Sequence, residues 1–439
     1  MLLDNLLDWL RIPSISTGGG DPADMHRAAE FVCSRVRAAG GSAGIVVDDL
    51  GGSPIAVGEL RAADPKAPTV LIYGHYDVQG VGDPDAWITP PFEPDLRGGR
   101  IYARGAADDK GNFLPLLHAA CALAAAGELA VHVRVVVEGE EEVGGAAVER
   151  WLERDTRGAD CAIVFDAAME DVHTPAITIG LRGMVGLWLT VRAQPRDLHS
   201  GLYGGVTLNA VHVLHRLLAE VLPGPSGVLR DELREGVEPP SQAELDSWAD
   251  LRPAREALEE VAAREVAPGA ADAWRERTGA DASLDVNWIE AGAQRTVVPA
   301  QARAFLTLRL APRQEPERLR ATLERLLREA LPPGAELEIE SVTAEPALFD
   351  NGLPAIRLAQ RAIERATGMR CALVRTGGSI PIVAALARKG MPVIVSGFGT
   401  AEDEIHAPNE SYRLESLELG DRAGRELLRA LAALPRAGA

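Results

Sequence analysis

Apolar residues fall along this chain in two rhythms. Near the start, Leu2, Leu3, Leu6, Leu7 and Leu10 recur at helical spacing, interrupted by Asp4 and Asp8, which predicts an amphipathic helix. Residues 24–39 predict a second helix, ended by Gly40-Gly41. Short, largely apolar runs at 69–73, 131–137 and 161–165 read as buried strands, and 112–126 reads as a helix closed at Gly127. Alternation of this kind predicts an α/β domain, a mainly parallel sheet flanked by helices.

The rhythm changes near Gly180-Leu181-Arg182-Gly183. Residues 185–192 alternate like an antiparallel strand, 208–221 read as a helix, and 223–279 are rich in Pro, Glu and Ala with little strand signal. Two strand-like runs follow within 296–310, then an amphipathic helix at 315–330 and a strand at 336–342. This stretch lacks βαβ order and predicts an α+β insert. Asn351-Gly352-Leu353-Pro354 reads as a hinge, after which the first rhythm resumes. It gives a helix to Thr367, a helix from Ser379, a strand at 393–396 and a last helix at 414–434. The predicted organisation is one catalytic domain, 1–181 and 349–439, interrupted by an inserted domain at 182–348.

At 439 residues the chain exceeds one ordinary core, in keeping with two domains. A net charge of −19 disfavours nucleic acid and anionic membranes as partners. Cys33, Cys121, Cys161 and Cys371 form no CxxC pair and read as buried free thiols, which suits a reducing, cytoplasmic compartment. The N-terminus lacks the cationic start and cleavage site of a signal peptide, and no apolar run approaches membrane-spanning length.

Chemistry concentrates where apolar runs end. His75-x-Asp77 follows a strand: either a metal ligand with an aspartate orienting its neighbours, or a polar strand end. Asp108-Asp109 precedes a helix: either a carboxylate bridging two cations, or an N-cap. Glu140-Glu141-Glu142 offers one carboxylate for a metal and a neighbour as general base, or else a solvated loop. Asp166 ends another strand, and His406 lies in the acidic, Gly-containing loop 397–409. His199 sits in the Gly-rich turn Asp197-Leu198-His199-Ser200-Gly201 of the insert. The other histidines read as surface or helix-face residues. Carboxylate and imidazole together are the ligand set of zinc-like divalent metals, so the pattern points to a two-metal hydrolase.

The segments GHYDVQ, ARGAADDKG, EGEEEVG, GLRG, DLHSGLYGG, RTVVP, LRL, RTGGSIP and IHAPNE, in this order and nearly end to end, resemble the M20 family of di-zinc metallopeptidases, in its dipeptidase, carnosinase-like branch. The resemblance implies metal-dependent cleavage of the amide bond of dipeptides or similarly short peptides. It implies two divalent ions, zinc by family habit with manganese or cobalt as alternatives. Asp108 is implied as the bridging ligand, with His75 and Asp166 completing one site and Glu142 and His406 the other. Glu141 is implied as general base toward a water bridging the metals, and Asp77 as its companion. The insert is implied to be a lid through which the chain forms a homodimer, with His199 reaching the partner's active site. Arg309, Thr296, Gly378 and Ser379 are implied to grip the substrate carboxylate. Two departures are visible: Gly80 stands where relatives often have Pro, and Gly145 replaces a frequent Ser. An N-acyl amino acid deacylase or desuccinylase is the alternative activity, and a non-catalytic binding protein the alternative from another class.

Overall fold

In a computed structural model, which describes residues 2–260, 262–378 and 380–435, the chain divides into two units. One comprises Met1–Ile179, Phe349–Leu373 and Ile382–Ala439; the other comprises Gly180–Leu348 and Val374–Pro381. The short stretch Val374–Pro381, inside the 349–439 block, groups with the second unit, where Arg375 is bonded to Glu244.

The first unit is built on a sheet with the strand order Ser42–Val46, Ile55–Leu60, His132–Glu138, Thr69–His75, Cys161–Phe165, Val393–Ser396, Ala176–Leu181. Its four central strands run parallel. Those strands are buried along nearly their whole length, which explains their apolar character, although His132–Glu138 also buries His132, Arg134 and Glu138. The margins depart from the expectation of a mainly parallel sheet. Ile55–Leu60 is antiparallel to both its neighbours, and Ala176–Leu181 is antiparallel to Val393–Ser396. The sheet is therefore mixed, and the two strands at 42–60 were not anticipated. They are short, each carries a glycine, and Ser42–Val46 has no fully buried residue to mark it.

Helix Lys110–Ala125 is buried on almost every side, covered by helix Leu2–Leu10 and by helix Leu414–Ala430. Lys110 takes part in this packing: its ammonium donates to the carbonyls of Trp9 (3.2 Å) and Ile12 (2.8 Å), and burial pushes its pKa down to about 7. The expected helix start at Ser379 falls outside the described residues; the helix is observed over Pro381–Arg388.

The second unit holds an antiparallel sheet ordered Ser283–Ala291, Gln301–Leu310, Gly183–Arg192, Glu336–Ala344. Helices Ala210–Val221 and Pro316–Glu329 pack on it through Leu187, Leu189, Leu217, Leu306, Leu323 and Leu327. The stretch with little strand signal forms short helices, Gln242–Trp248 and Ala254–Glu260. Among the described residues no helix is long and apolar enough to cross a membrane.

Candidate metal centre

Parallel strands share one direction, so their C-terminal ends open on the same edge of the sheet. Here that edge receives His75 from Thr69–His75, the Glu140–Glu142 turn from His132–Glu138, Asp166 just after Cys161–Phe165, and the loop to His406 after Val393–Ser396. Asp108 comes from the loop entering helix Lys110–Ala125.

The result is two trios that share one carboxylate. His75, Asp108 and Asp166 offer ligand atoms lying within 4.8 Å of one another, and so do Asp108, Glu142 and His406. His75 Nε2 stands 3.0 Å from Asp108 Oδ1 and 3.9 Å from Asp166 Oδ1. His406 Nε2 stands 2.9 Å from Asp108 Oδ2 and 3.2 Å from Glu142 Oε2. Of the neighbours Asp108 and Asp109, the first faces both imidazoles, whereas Asp109 Oδ2 accepts from the His75 backbone N–H at 3.1 Å.

His75 Nδ1 lies 3.0 Å from the Asp77 carbonyl, an acceptor that keeps the ring proton on Nδ1 and turns Nε2 toward the carboxylates. Asp77, fully buried, accepts at Oδ1 from the Glu141 N–H (3.3 Å) and at Oδ2 from the Glu142 N–H (3.2 Å) and the Ser16 hydroxyl (2.6 Å). It therefore ties His75 to the backbone of the glutamate turn.

The electrostatics are those of crowded anions. Burial, then the carboxylates of Glu141, Asp108 and Glu142, raise the Asp166 pKa well above the ordinary range, against the pull of His75. Burial also raises the Glu141 pKa, and Asp108 and Glu142 add to it. Burial opposes a charged His75, but Asp108 and Asp77 outweigh it and hold the ring well above its usual pKa. Hydrogen bonds donated to the Asp108 and Glu142 carboxylates push His406 up to about 10. Four carboxylates and two imidazoles gathered this way suit divalent cations, which relieve the repulsion and accept both N and O ligands.

Two motif glycines have a steric reason. A Cβ on Gly74 would lie 2.4 Å from Phe113 Cδ2 and 2.7 Å from Asp109 Oδ2. A Cβ on Gly145 would lie 2.2 Å from Glu140 Oε2, so a serine does not fit there as the turn is folded. At Gly80 the backbone N–H donates to Thr17 Oγ1 at 2.7 Å, a bond that Pro could not make.

His199, Thr296, Arg309 and Gly378 belong to the second unit, and Ser379 lies outside the described residues. Within that unit His199 pairs with Val297, and the Ser200 N–H donates to the Thr296 carbonyl at 3.1 Å, so His199 and Thr296 are neighbours. Arg309 sits in strand Gln301–Leu310 opposite Met184 and Ser283. Several contributors escaped the sequence reading. Gln79 Nε2 donates to Glu142 Oε2 at 2.9 Å, and the Tyr73 hydroxyl donates to Glu138 Oε1 at 2.5 Å, while burial pushes Glu138 up to about 8. Gln79 lies within GHYDVQ and Glu138 within EGEEEVG, whereas Ser16 carries no local signal. His132, read as a surface or helix-face residue, is buried, and its Nδ1 accepts from the Ala62 N–H.

Residues 71–430 match the sequence model of peptidase family M20/M25/M40. The Beta-Ala-His dipeptidase of Homo sapiens is 26% identical over 377 residues, covering 81% of this chain and 73% of that protein. The Cysteinylglycine-S-conjugate dipeptidase of Corynebacterium striatum is 29% identical over 365 residues, covering 80% and 78%. Among solved structures, the M20 family metallo-carboxypeptidase Sso-CP2 from Sulfolobus solfataricus aligns with a TM-score of 0.88 at 25% identity, over 99% of both chains.

Proposed function

Because the chain belongs to peptidase family M20/M25/M40, we propose that it hydrolyses the amide bond of dipeptides or similarly short peptides with two divalent cations at the clustered carboxylates. The observation that carries this reading is the pair of trios meeting at Asp108, with Glu141 beside them. The dipeptidase names of the relatives support the substrate class. His75, Asp108 and Asp166 would hold one cation and Asp108, Glu142 and His406 the other. Cations bound there supply Lewis acidity, lowering the pKa of a water and polarising the scissile carbonyl. Zinc is the proposed metal, and the carboxylate-rich ligand set also suits manganese or cobalt.

The chain's own residues then do the following. Glu141, whose backbone N–H is tied to Asp77, takes the proton of the attacking water on its carboxylate and returns it to the leaving amine nitrogen. Asp77 keeps the His75 ring and the Glu141–Glu142 backbone in register. Arg309, with Thr296, Gly378 and Ser379, is proposed to hold the substrate carboxylate, and His199 to stabilise the oxyanion from a partner subunit. Two features of the second unit support a homodimer. Its sheet exposes Trp188, stacked on Phe305 at 4.5 Å, together with Trp288, Ile289 and Val342, and strand Ser283–Ala291 lies at an edge of that sheet. Cys33, Cys121, Cys161 and Cys371 are free thiols, which supports a reducing, cytoplasmic setting.

The test is a hydrolysis screen of the metal-loaded protein against free dipeptides, N-blocked dipeptides and N-acyl amino acids. Free dipeptides are expected to be cleaved fastest. The likeness to the Sulfolobus solfataricus metallo-carboxypeptidase favours a second reading, release of one residue from a longer or blocked peptide, and faster turnover of the blocked substrates would select it. Glu141→Gln is expected to lower kcat by about 10²–10⁴ while both cations still bind. Near-normal turnover by that variant would remove Glu141 from the role of base.

A further inference from the structure

Glu410 ends the segment Ile405-His406-Ala407-Pro408-Asn409-Glu410, and the proposed chemistry gives it no task. Its side chain is 1% exposed. One carboxylate oxygen, Oε1, accepts from the backbone N–H groups of Ala107 (2.9 Å) and Asp108 (3.0 Å). The other, Oε2, accepts from the Gly105 N–H (2.8 Å) and from Arg104 Nη1 (2.8 Å). The Glu410 carbonyl accepts from the Ala103 N–H at 3.1 Å. A single ionised carboxylate is suited to this, because only it presents acceptors to all four donors at once.

The rest of the same segment is equally constrained. Asn409 Oδ1 accepts from the Ile88 N–H (2.9 Å), and its Nδ2 donates to the Ala86 carbonyl (2.8 Å). Glu404, His406 and Asn409 all have left-handed backbone angles, with φ of 54°, 64° and 66°. Non-glycine residues stay in that region only where surrounding contacts hold them.

We propose that Glu410 is a positioning residue that sets the spacing between Asp108 and His406 and thereby the affinity of the centre for its cations. It grips the backbone N–H groups of Gly105, Ala107 and Asp108 and the Arg104 guanidinium, while standing four residues from His406 on a segment with little freedom. The 2.9 Å approach of His406 Nε2 to Asp108 Oδ2 depends on both loops holding their relative place. The inference rests on the two-cation reading of the cluster.

The experiment is calorimetric titration of the chelator-stripped, full-length chain with Mn²⁺ alone, beside thermal melting of each stripped variant. In Glu410→Gln the amide turns an NH₂ toward backbone donors, and the loop loses acceptors. Affinity for at least one of the two ions is expected to fall about ten- to a hundredfold, the usual effect of removing an outer partner of a ligand. Arg104→Met removes the buried ion pair but leaves the three backbone bonds, so it is expected to melt at lower temperature and bind Mn²⁺ near the wild-type affinity. Wild-type affinity in Glu410→Gln would overturn the proposal. So would losses of affinity that simply follow the melting temperatures of the two variants. Should Glu410→Gln fail to fold, amide exchange on the stripped wild-type chain decides: the amides of Gly105, Ala107 and Asp108 are expected to be protected without metal, and free exchange there refutes the grip. A wild-type chain that takes up fewer than two ions would instead refute the two-cation reading.

Discussion

Removing one partner of the Arg375–Glu244 pair should have a larger effect than removing both. The side chains are 4% and 5% exposed, and Arg375 donates through Nε (2.5 Å) and Nη2 (3.0 Å) to the two Glu244 oxygens. Glu244→Leu leaves a buried guanidinium that keeps its bond to the Glu238 carbonyl at 3.2 Å but loses its counter-charge, and should cost about 3–5 kcal/mol. Arg375→Met leaves a carboxylate that still accepts from the Ser241 N–H (2.7 Å) and hydroxyl (2.8 Å), so about 2–3 kcal/mol is expected. The double variant strands no charge and loses mainly the Ser241 cap, about 1–2 kcal/mol. Urea unfolding of all four proteins, followed by far-UV circular dichroism, gives the cycle. The acid side adds a check. Burial raises the Glu244 pKa, but Arg375 and the Ser241 donors outweigh it and hold the group below 4.5. A depressed folded pKa gives stability that is complete above the unfolded value and is lost as pH falls through the folded one. The wild type should therefore lose stability below about pH 4.5 more steeply than Arg375→Met does. Additive single and double effects, or an Arg375→Met variant as stable as the wild type, would refute the reasoning.

Asp108→Asn alters the one carboxylate shared by both trios, so metal analysis after dialysis should find both cations diminished, whereas Asp166→Asn should affect chiefly one. Gly74→Ala forces a methyl against Phe113 and Asp109, and should lower stability by about 1–3 kcal/mol in thermal melts, with weaker cation uptake as His75 is displaced.

The central sheet is legible because strands buried on both faces appear as short apolar runs, as 69–73 and 161–165 do. The same geometry made the site residues conspicuous: His75 and Asp166 are the first polar groups after such runs, and the sheet's parallel order brings them to one edge. The antiparallel margin at 42–60 was not legible, since Ser42–Val46 buries no residue fully and each strand is broken by a glycine. The residues that hold the ligands in place were harder still. Ser16 reaches Asp77 from 61 positions away, and Glu410 reaches Asp108 across 302, so no local pattern couples them. Choosing Asp108 over Asp109, or the last two glutamates of Glu140–Glu142, required the family resemblance, because spacing alone treats neighbouring acids alike.

Strand Cys161–Phe165 lies between Thr69–His75 and Val393–Ser396, and the latter is synthesised more than two hundred residues later. On the ribosome, the early part of the sheet must therefore wait with one flank of a central strand bare while the whole insert is made. Bringing so distant a segment back is a slow, entropy-limited closure, and an uncovered strand flank invites pairing with other chains meanwhile. A nascent chain halted before that strand has neither its full sheet nor His406, so premature termination yields an adhesive product that lacks part of the proposed metal ligand set.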